Sequence, residues 1–207
     1  MKTYPTVVRG WRKHPRDEQI YAFDKYDGTN IRAEWGRKKR RFWKFGTRQL
    51  LIDKSHGDFG EAVGLVKEKY ERDLHDIFMR QGYQKVICFF EFYGKNSFAG
   101  THYDEPHVVT LFDISPHKKG LLEPRQFLKM TDHLDVAKLL YFGKPNREFV
   151  EEVREGMLKG MTFEGVVCKG RYVSPGLPLL YKLKNKEWFK RLREKCNGDE
   201  KLFEKLA

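Results

Sequence analysis

Apolar residues gather in short runs at Ile20–Phe23, Val86–Tyr93, Val108–Ile114, Thr162–Cys168 and Leu179–Leu183. These runs are rich in β-branched and aromatic side chains and bounded by Gly, Pro or Asp, a pattern that predicts strands. Between Glu61 and Gln81 the period changes: Ala62, Val66, Tyr70, Leu74 and Phe78 step by four. That spacing predicts a helix, with Asp58 capping its start three residues ahead of Glu61 and Gly82 stopping it. A second helix is expected over Asn146–Leu158, with Phe149, Val150, Val153 and Met157 on one stripe and Gly160 beyond. Glu123–Leu140 is helical in flavour but interrupted. A final basic helix starts near Lys186 and carries Trp188, Phe189 and Leu192. Strands and helices do not alternate regularly, so the fold class expected is α+β with antiparallel sheets.

The length of 207 residues fits one domain, residues 1–207, with no linker or repeat to divide it. Hydrophobic residues at 40% and aromatics at 14% exclude a disordered chain. No apolar run approaches a membrane span, and the first residues, MKTYPTVVRGWRKHPRDE, lack the apolar core of a secretory signal. Cys88, Cys168 and Cys196 stand singly, which fits a reducing compartment and gives no zinc framework. A soluble cytoplasmic protein is expected. Lys and Arg number 41 against 29 Asp and Glu, a formal charge of +12 that favours a polyanionic partner.

Three predicted strands carry ionisable groups where burial is expected. They are Tyr21-Ala22-Phe23-Asp24-Lys25-Tyr26-Asp27-Gly28, Cys88-Phe89-Phe90-Glu91-Phe92-Tyr93-Gly94 and Phe163-Glu164-Gly165-Val166-Val167-Cys168-Lys169. A buried charge is costly unless it is paired or bound to something. Satisfied ion pairs, Lys25 with Glu91 for example, or a wet strand face are the structural alternatives. A fourth segment, Leu180-Tyr181-Lys182-Leu183-Lys184, sends Lys182 and Lys184 to one face and Tyr181 and Leu183 to the other. Two ammonium groups one strand step apart repel unless an anion such as a phosphate chain lies between them; on an exposed edge they deter aggregation instead.

One lysine beside a glycine turn, two isolated glutamates and a lysine pair suit nucleophilic attack on a nucleotide phosphate. A free lysine is protonated at neutral pH, with a pKa of about 10.4. Partial burial and neighbouring cations are expected to lower that value at Lys25 and expose its lone pair. Glu91 and Glu164 are then candidates to hold a hard divalent cation through its waters.

At this point the sequence resembles the covalent nucleotidyltransferases, which comprise ATP-dependent polynucleotide ligases and mRNA capping enzymes. Lys25-Tyr26-Asp27-Gly28-Thr29-Asn30 resembles the KxDG element whose lysine takes up a nucleoside monophosphate. Phe90-Glu91-Phe92-Tyr93-Gly94, Leu111-Phe112-Asp113, Glu164-Gly165-Val166-Val167-Cys168-Lys169 and Lys182-Leu183-Lys184 resemble the later elements, in the family's order. Asn30 five residues after the lysine makes the sequence most similar to the phage-type, nick-sealing RNA ligases. Thr47-Arg48 sits where that branch keeps a sugar-binding arginine.

The resemblance implies a nucleotidyltransferase (ATP-grasp-like) domain, two antiparallel β-sheets flanked by helices with the nucleotide between them. It implies that Lys25 attacks the α-phosphate of ATP and holds AMP covalently. Asp27 and Glu164 would anchor the waters of Mg2+ or Mn2+. Glu91 and Arg48 would meet the ribose, Glu91 alternatively serving the metal. Phe112 would stack on the adenine and Val167 close its other face, with Asp24 and Asn30 also beside the nucleotide. Lys182 and Lys184 would grip the α-phosphate. AMP would then pass to a 5′-phosphate end and be displaced by a 3′-hydroxyl, on RNA ends or a nicked duplex. Only about two dozen residues follow Lys184, where relatives of this family carry an oligonucleotide-binding or helical domain. The expectation is a monomeric minimal ligase, or one that relies on an end-healing or substrate-binding partner protein.

Arg37-Lys38-Lys39-Arg40-Arg41-Phe42-Trp43-Lys44-Phe45 mixes cations with aromatics, as phosphate contacts and base stacking require. It reads equally as a solvated hairpin turn, and also resembles a nuclear import tag. The basic helix from Lys186 to Lys195 reads as a nucleic-acid groove or as a solvated face with Trp188 and Leu192 packed inward. The alternatives to an RNA ligase are a DNA nick-sealing ligase, a capping guanylyltransferase, or a basic nucleic-acid-binding protein with a decayed site.

Overall fold

The computed structural model describes residues 1–10, 18–95, 97–99 and 102–207. Ten strands and five helices are assigned among them. In chain order they are β1 (Val8–Arg9), β2 (Ile20–Lys25), β3 (Thr29–Gly36), β4 (Arg41–Gly46), β5 (Leu51–Ile52), α1 (Gly57–Arg80), β6 (Lys85–Tyr93) and β7 (Val108–Pro116). There follow α2 (Pro124–Met130), β8 (Leu139–Gly143), α3 (Arg147–Glu155), β9 (Gly165–Ser174), β10 (Leu177–Lys184), α4 (Lys186–Lys195) and α5 (Glu200–Leu206).

The strands form two five-stranded sheets, β5-β4-β3-β6-β7 and β1-β10-β9-β2-β8. All named pairs are antiparallel except β1 with β10. The α+β class expected from the sequence is the class observed. β6 is buried along most of its length, and its run Val86-Ile87-Cys88-Phe89-Phe90 leaves no polar face because both faces are covered. On one face Phe90 and Cys88 join Val63, Val66, Tyr70 and Leu74 of α1 in the largest core cluster. On the other, Phe89 and Ile87 meet Leu180 of β10 and Leu121, closing the space between the sheets. α3 covers the outer face of the second sheet with Phe149, Val150 and Val153, packed on Ala22, Cys168 and Tyr181.

Several boundaries differ from the sequence expectation for local reasons. α1 starts one turn early, at Gly57, so Asp58 lies inside its first turn rather than capping it, where a carboxylate still favours the helix dipole. Gly82 (φ 70°) does follow its end. α3 is capped by Asn146, whose side chain accepts from Phe149 N–H at 2.8 Å, and it stops at left-handed Gly156 (φ 74°) rather than at Gly160. Residues 123–140 yield only α2, and Leu139 opens an unexpected edge strand, β8, on β2. β9 begins at Gly165, so Thr162 to Glu164 form the approach to a strand rather than its first turn of pleat. No helix among the described residues is long and apolar enough to cross a membrane.

Candidate active site

β2 belongs to one sheet and β3 to the other, so the turn Tyr26-Asp27-Gly28 carries the chain across the gap between them. Lys25, the last residue of β2, therefore stands at the crossing point. Gly28 is required there, because a Cβ would collide with the Phe92 carbonyl of β6. Gly165, at φ 138°, has the same function opposite: a side chain would strike the Leu183 carbonyl, so only glycine lets β9 start against β10 with Glu164 just before it. Both glycines lie beside the charged residues that the sequence singles out.

Those residues meet. Lys25 Nζ donates to Glu164 Oε2 at 2.7 Å, and Lys184 Nζ lies 2.8 Å from Glu164 Oε1. One buried carboxylate thus holds two lysines from different strands. The partner of Lys25 is Glu164 rather than Glu91. Glu91 faces Asn30 across the β3–β6 pairing instead. Lys184 is also held from below by α4, its Nζ 3.6 Å from the centre of the Trp188 ring. Trp188 and Leu192 of α4 are buried, as expected for a helix that packs its aromatic stripe inward and leaves its cations outside.

Lys25 lines a cavity of about 640 Å³ together with Asn30, Arg48, Glu91, Phe112, Val167 and Lys182 among others, whereas Glu164, Lys184 and Asp27 are not in its lining. Phe112 comes from one sheet and Val167 from the other. Lys182 and Lys184 leave β10 on the same side, while Tyr181 and Leu183 enter the core under α3. Asp24 touches the cavity, but its Oδ1 accepts from Thr162 N–H at 3.0 Å and from the Thr162 hydroxyl at 3.2 Å, fixing the loop that leads to Glu164. Strand alternation turns that carboxylate away from the face that carries Lys25. Asp27 is buried beneath the turn, its Oδ2 accepting from Ala99 N–H at 2.8 Å.

The electrostatics correct one expectation. Burial presses the Lys25 pKa down, but Glu164, Glu91 and Asp27 outweigh it and the net shift is upward. Lys25 is held as an ammonium. The depression expected there falls on Lys184, lowered to about 7 by burial, against Glu164 and with help from the Lys25 and Lys182 charges. Lys182 is lowered as well, again chiefly by burial. Burial raises Glu91 to about 8, with the Glu164 and Asp27 charges adding to it and Lys25 opposing. Burial also raises Asp27, whereas on Glu164 it is overcome by the two lysines and the net shift is downward.

Among the described residues no group of three or more His, Cys, Asp and Glu side chains stands ready to ligate a metal directly. Glu164 has both oxygens on lysines. Three carboxylates that raise one another's charge cost, in a site with two of them pushed upward, nevertheless fit a cation held at one remove, through water.

The sequence reading missed a second buried network. Lys169 Nζ donates to the Phe112 carbonyl at 2.7 Å and to Asp113 Oδ2 at 2.8 Å. Tyr4 Oη donates to the same Asp113 oxygen at 2.5 Å, and its ring packs edge-on against Phe112 and Phe89. Tyr4 to Val7 thereby form part of the cavity wall, with Arg48 Nη2 reaching Thr6 Oγ1 at 3.4 Å. Lys205 and Leu206 line the cavity too, and Lys182 Nζ donates to the Ala207 carbonyl at 3.3 Å. Neither terminal segment carries a periodicity that announces these contacts. Asp113 and Lys169 close the third and fourth family-like elements, which is the signal that could have pointed to them.

A family model described as RNA ligase matches residues 18–191. Solved structures of a Naegleria gruberi RNA ligase share the fold. One variant with ATP and Mn aligns at 11% identity and a TM-score of 0.63, covering 86% of this chain and 52% of that one. The form with PPi gives 13% identity, a TM-score of 0.63 and the same coverage. An apo variant gives 14% identity, a TM-score of 0.63 and coverage of 92% and 59%. The chain thus spans little more than half the length of these structures. No curated protein sequence matches it. With the family model extending over most of its residues, the chain belongs to the RNA ligase family.

Proposed function

We propose that this chain is an ATP-dependent RNA ligase acting as a single adenylyltransferase domain. The observation that carries the reading is the Lys25–Glu164–Lys184 bridge, whose Lys25 end lines a nucleotide-sized cavity. The Naegleria structures, which by their descriptions hold ATP with Mn, AMP with Mn, or PPi, support it as structural neighbours.

In this reading Lys25 Nζ forms a bond to the α-phosphorus of ATP as the bond to pyrophosphate breaks. The ammonium must first lose a proton, and Glu164, 2.7 Å away, is the acceptor in reach. Lys182 and Lys184 hold the α-phosphate so that pyrophosphate leaves in line with the attack. Phe112 and Val167 bracket the adenine, Arg48 and Glu91 meet the ribose, and Asn30 borders the same wall. Asp24 contributes indirectly, through Thr162. Mg2+ or Mn2+, held through water by Asp27, Glu91 and Glu164, would offset phosphate charge. AMP then moves to a 5′-phosphate, and a 3′-hydroxyl displaces it to join the strands.

The cysteines are free and buried, which supports a reducing, cytoplasmic setting. We further propose that the chain acts as a monomer on RNA ends or nicked duplexes, with an end-healing protein as partner. The test is strand joining. Protein, ATP, Mg2+ and 5′-phosphorylated nicked RNA, nicked DNA or single-stranded RNA are incubated and the products sized. Joined RNA supports the proposal; joining of DNA alone, or only with GTP, rejects it.

A further inference from the structure

The cation-rich stretch from Arg37 to Phe45 is not used by the chemistry above. It forms the turn of the β3–β4 hairpin and the start of β4. Phe42 and Phe45 enter the core, so these two aromatics are structural. Trp43 is not: it is 45% exposed. Its indole lies over Gly36, with Nε1 at 3.3 Å and Cδ1 at 3.6 Å from where a Cβ of Gly36 would stand, and Lys39 Cγ at 3.8 Å from the same point. A glycine at 36 therefore leaves room for the ring against β3.

The face on which this happens is fixed by register. Gly36 is in phase with Glu34, Arg32 and Asn30 along β3, and Asn30 lines the nucleotide cavity. Arg41 pairs with Gly36, and Lys44 with Glu34. The Trp43 end and the cavity therefore share one sheet face, separated by six residues of β3, about 20 Å at a strand rise of about 3.3 Å per residue. Next to it, on the same face, opens a smaller cavity of about 270 Å³ whose lining includes Lys2, Lys85, His117, Lys118 and Lys119. Glu34 is buried and already faces Lys85 at 3.7 Å. Among the described residues none of Lys38, Lys39, Arg40 and Arg41 has an ion-pair partner.

Edge protection does not explain these cations. The Phe42 N–H on the outer side of β4 is taken by Glu71 of α1 at 2.8 Å, and β5 pairs with Phe45 and Gly46. An edge so covered needs no charged guard, and a bare tryptophan would weaken one. Cations without ion-pair partners near an exposed indole, with Lys44 Nζ 5.9 Å from its ring centre, match what single-stranded nucleic acid requires: charge for the phosphates and a ring for a base.

We propose that this end of the sheet face, Trp43 with Lys39, Arg41 and Lys44, binds a single-stranded stretch of RNA leading away from the nucleotide site. The choice of RNA rests on the ligase reading; the stacking and charge chemistry stands on the structure. The test uses the full chain and a fluorescently labelled 20-nucleotide single-stranded RNA, with anisotropy measured across a KCl series. Trp43→Ala weakens binding about tenfold at a fixed salt concentration, and Trp43→Phe restores most of it. Lys39→Gln with Arg41→Gln lowers the slope of log affinity against log salt by about 1.4, at about 0.7 per phosphate contact. Circular dichroism and covalent labelling by ATP stay at wild-type levels in all three. Unchanged RNA affinity in Trp43→Ala, or an unchanged salt slope in the double variant, overturns the proposal. A wild type that takes no label from ATP, but loses RNA through Trp43→Ala, rejects the ligase reading and leaves the platform standing.

Discussion

Lys25 and Lys184 are held on the two oxygens of one carboxylate, Glu164, at 2.7 and 2.8 Å. They come from β2 and β10, strands that do not pair with each other but both flank β9. The charge of Glu164 therefore fixes the proposed nucleophile relative to the lysine proposed to hold phosphate.

Glu164→Gln removes that charge and leaves two ammonium groups with a neutral partner. Breaking a buried pair costs roughly 3–5 kcal/mol, and Lys184, almost wholly buried, sets the scale. The expected outcome is a lower thermal midpoint together with covalent AMP formation reduced by about a hundredfold or more. Thermal melts and single-turnover labelling measure the two effects separately.

The Tyr4–Asp113–Lys169 network supports the cavity wall from behind. Burial raises Asp113 and lowers Lys169, so desolvation exceeds their mutual attraction. Lys169→Met strands the Asp113 carboxylate and is expected to destabilise by about 3–5 kcal/mol. Adding Asp113→Leu removes the stranded charge and recovers most of that loss. Chemical denaturation of the four proteins in this cycle checks the sign of the coupling.

Stability near Glu91 depends on pH. Its pKa is raised from the usual 4.5 to about 8, foremost by burial. The folded state thus binds a proton that the unfolded state has released. The associated stability is fully present below pH 4.5 and is lost as pH rises through about 8. Glu91→Gln has no such proton to lose. Melts from pH 5 to pH 8 are therefore expected to show the wild type falling steadily relative to this variant, by a total of a few kcal/mol.

The Lys184 pKa, lowered to about 7 by burial, brings the loss of its charge into the neutral range, where an ordinary lysine stays protonated, so ATP affinity is expected to depend on pH there. Below pH 7 the ammonium attracts phosphate; above it the free protein increasingly carries a neutral amine. ATP affinity, measured calorimetrically in Lys25→Ala to prevent reaction, is expected to fall by up to tenfold per pH unit above 7. In Lys25→Ala with Lys184→Met the profile flattens.

The residues proposed to carry chemistry were legible because they break the apolar pattern. Lys25, Glu91 and Glu164 sit in or against hydrophobic strands, and Lys182 and Lys184 alternate with Tyr181 and Leu183. Their partnerships were not legible. Lys25 and Glu164 are 139 residues apart, and no local rule prefers Glu164 over Glu91. The Lys25 pKa was expected to fall through burial and neighbouring cations; it rises because three carboxylates, Glu164, Glu91 and Asp27, surround it and outweigh burial. β3 and β4 escaped detection because Arg32, Glu34 and the cations from Arg37 to Arg41 obscure their alternation. β8 is a half-exposed edge, and Tyr4 is a lone aromatic fixed by Asp113, 109 residues away. Neither carries a period to read.

The most direct test of the central claim is to incubate the protein with α-labelled ATP and Mg2+, denature it, and map the labelled peptide. The label is expected on Lys25, released by acid but not by base, and absent from Lys25→Ala. Label that persists in Lys25→Ala, or no label at all in the folded wild type, would contradict the account.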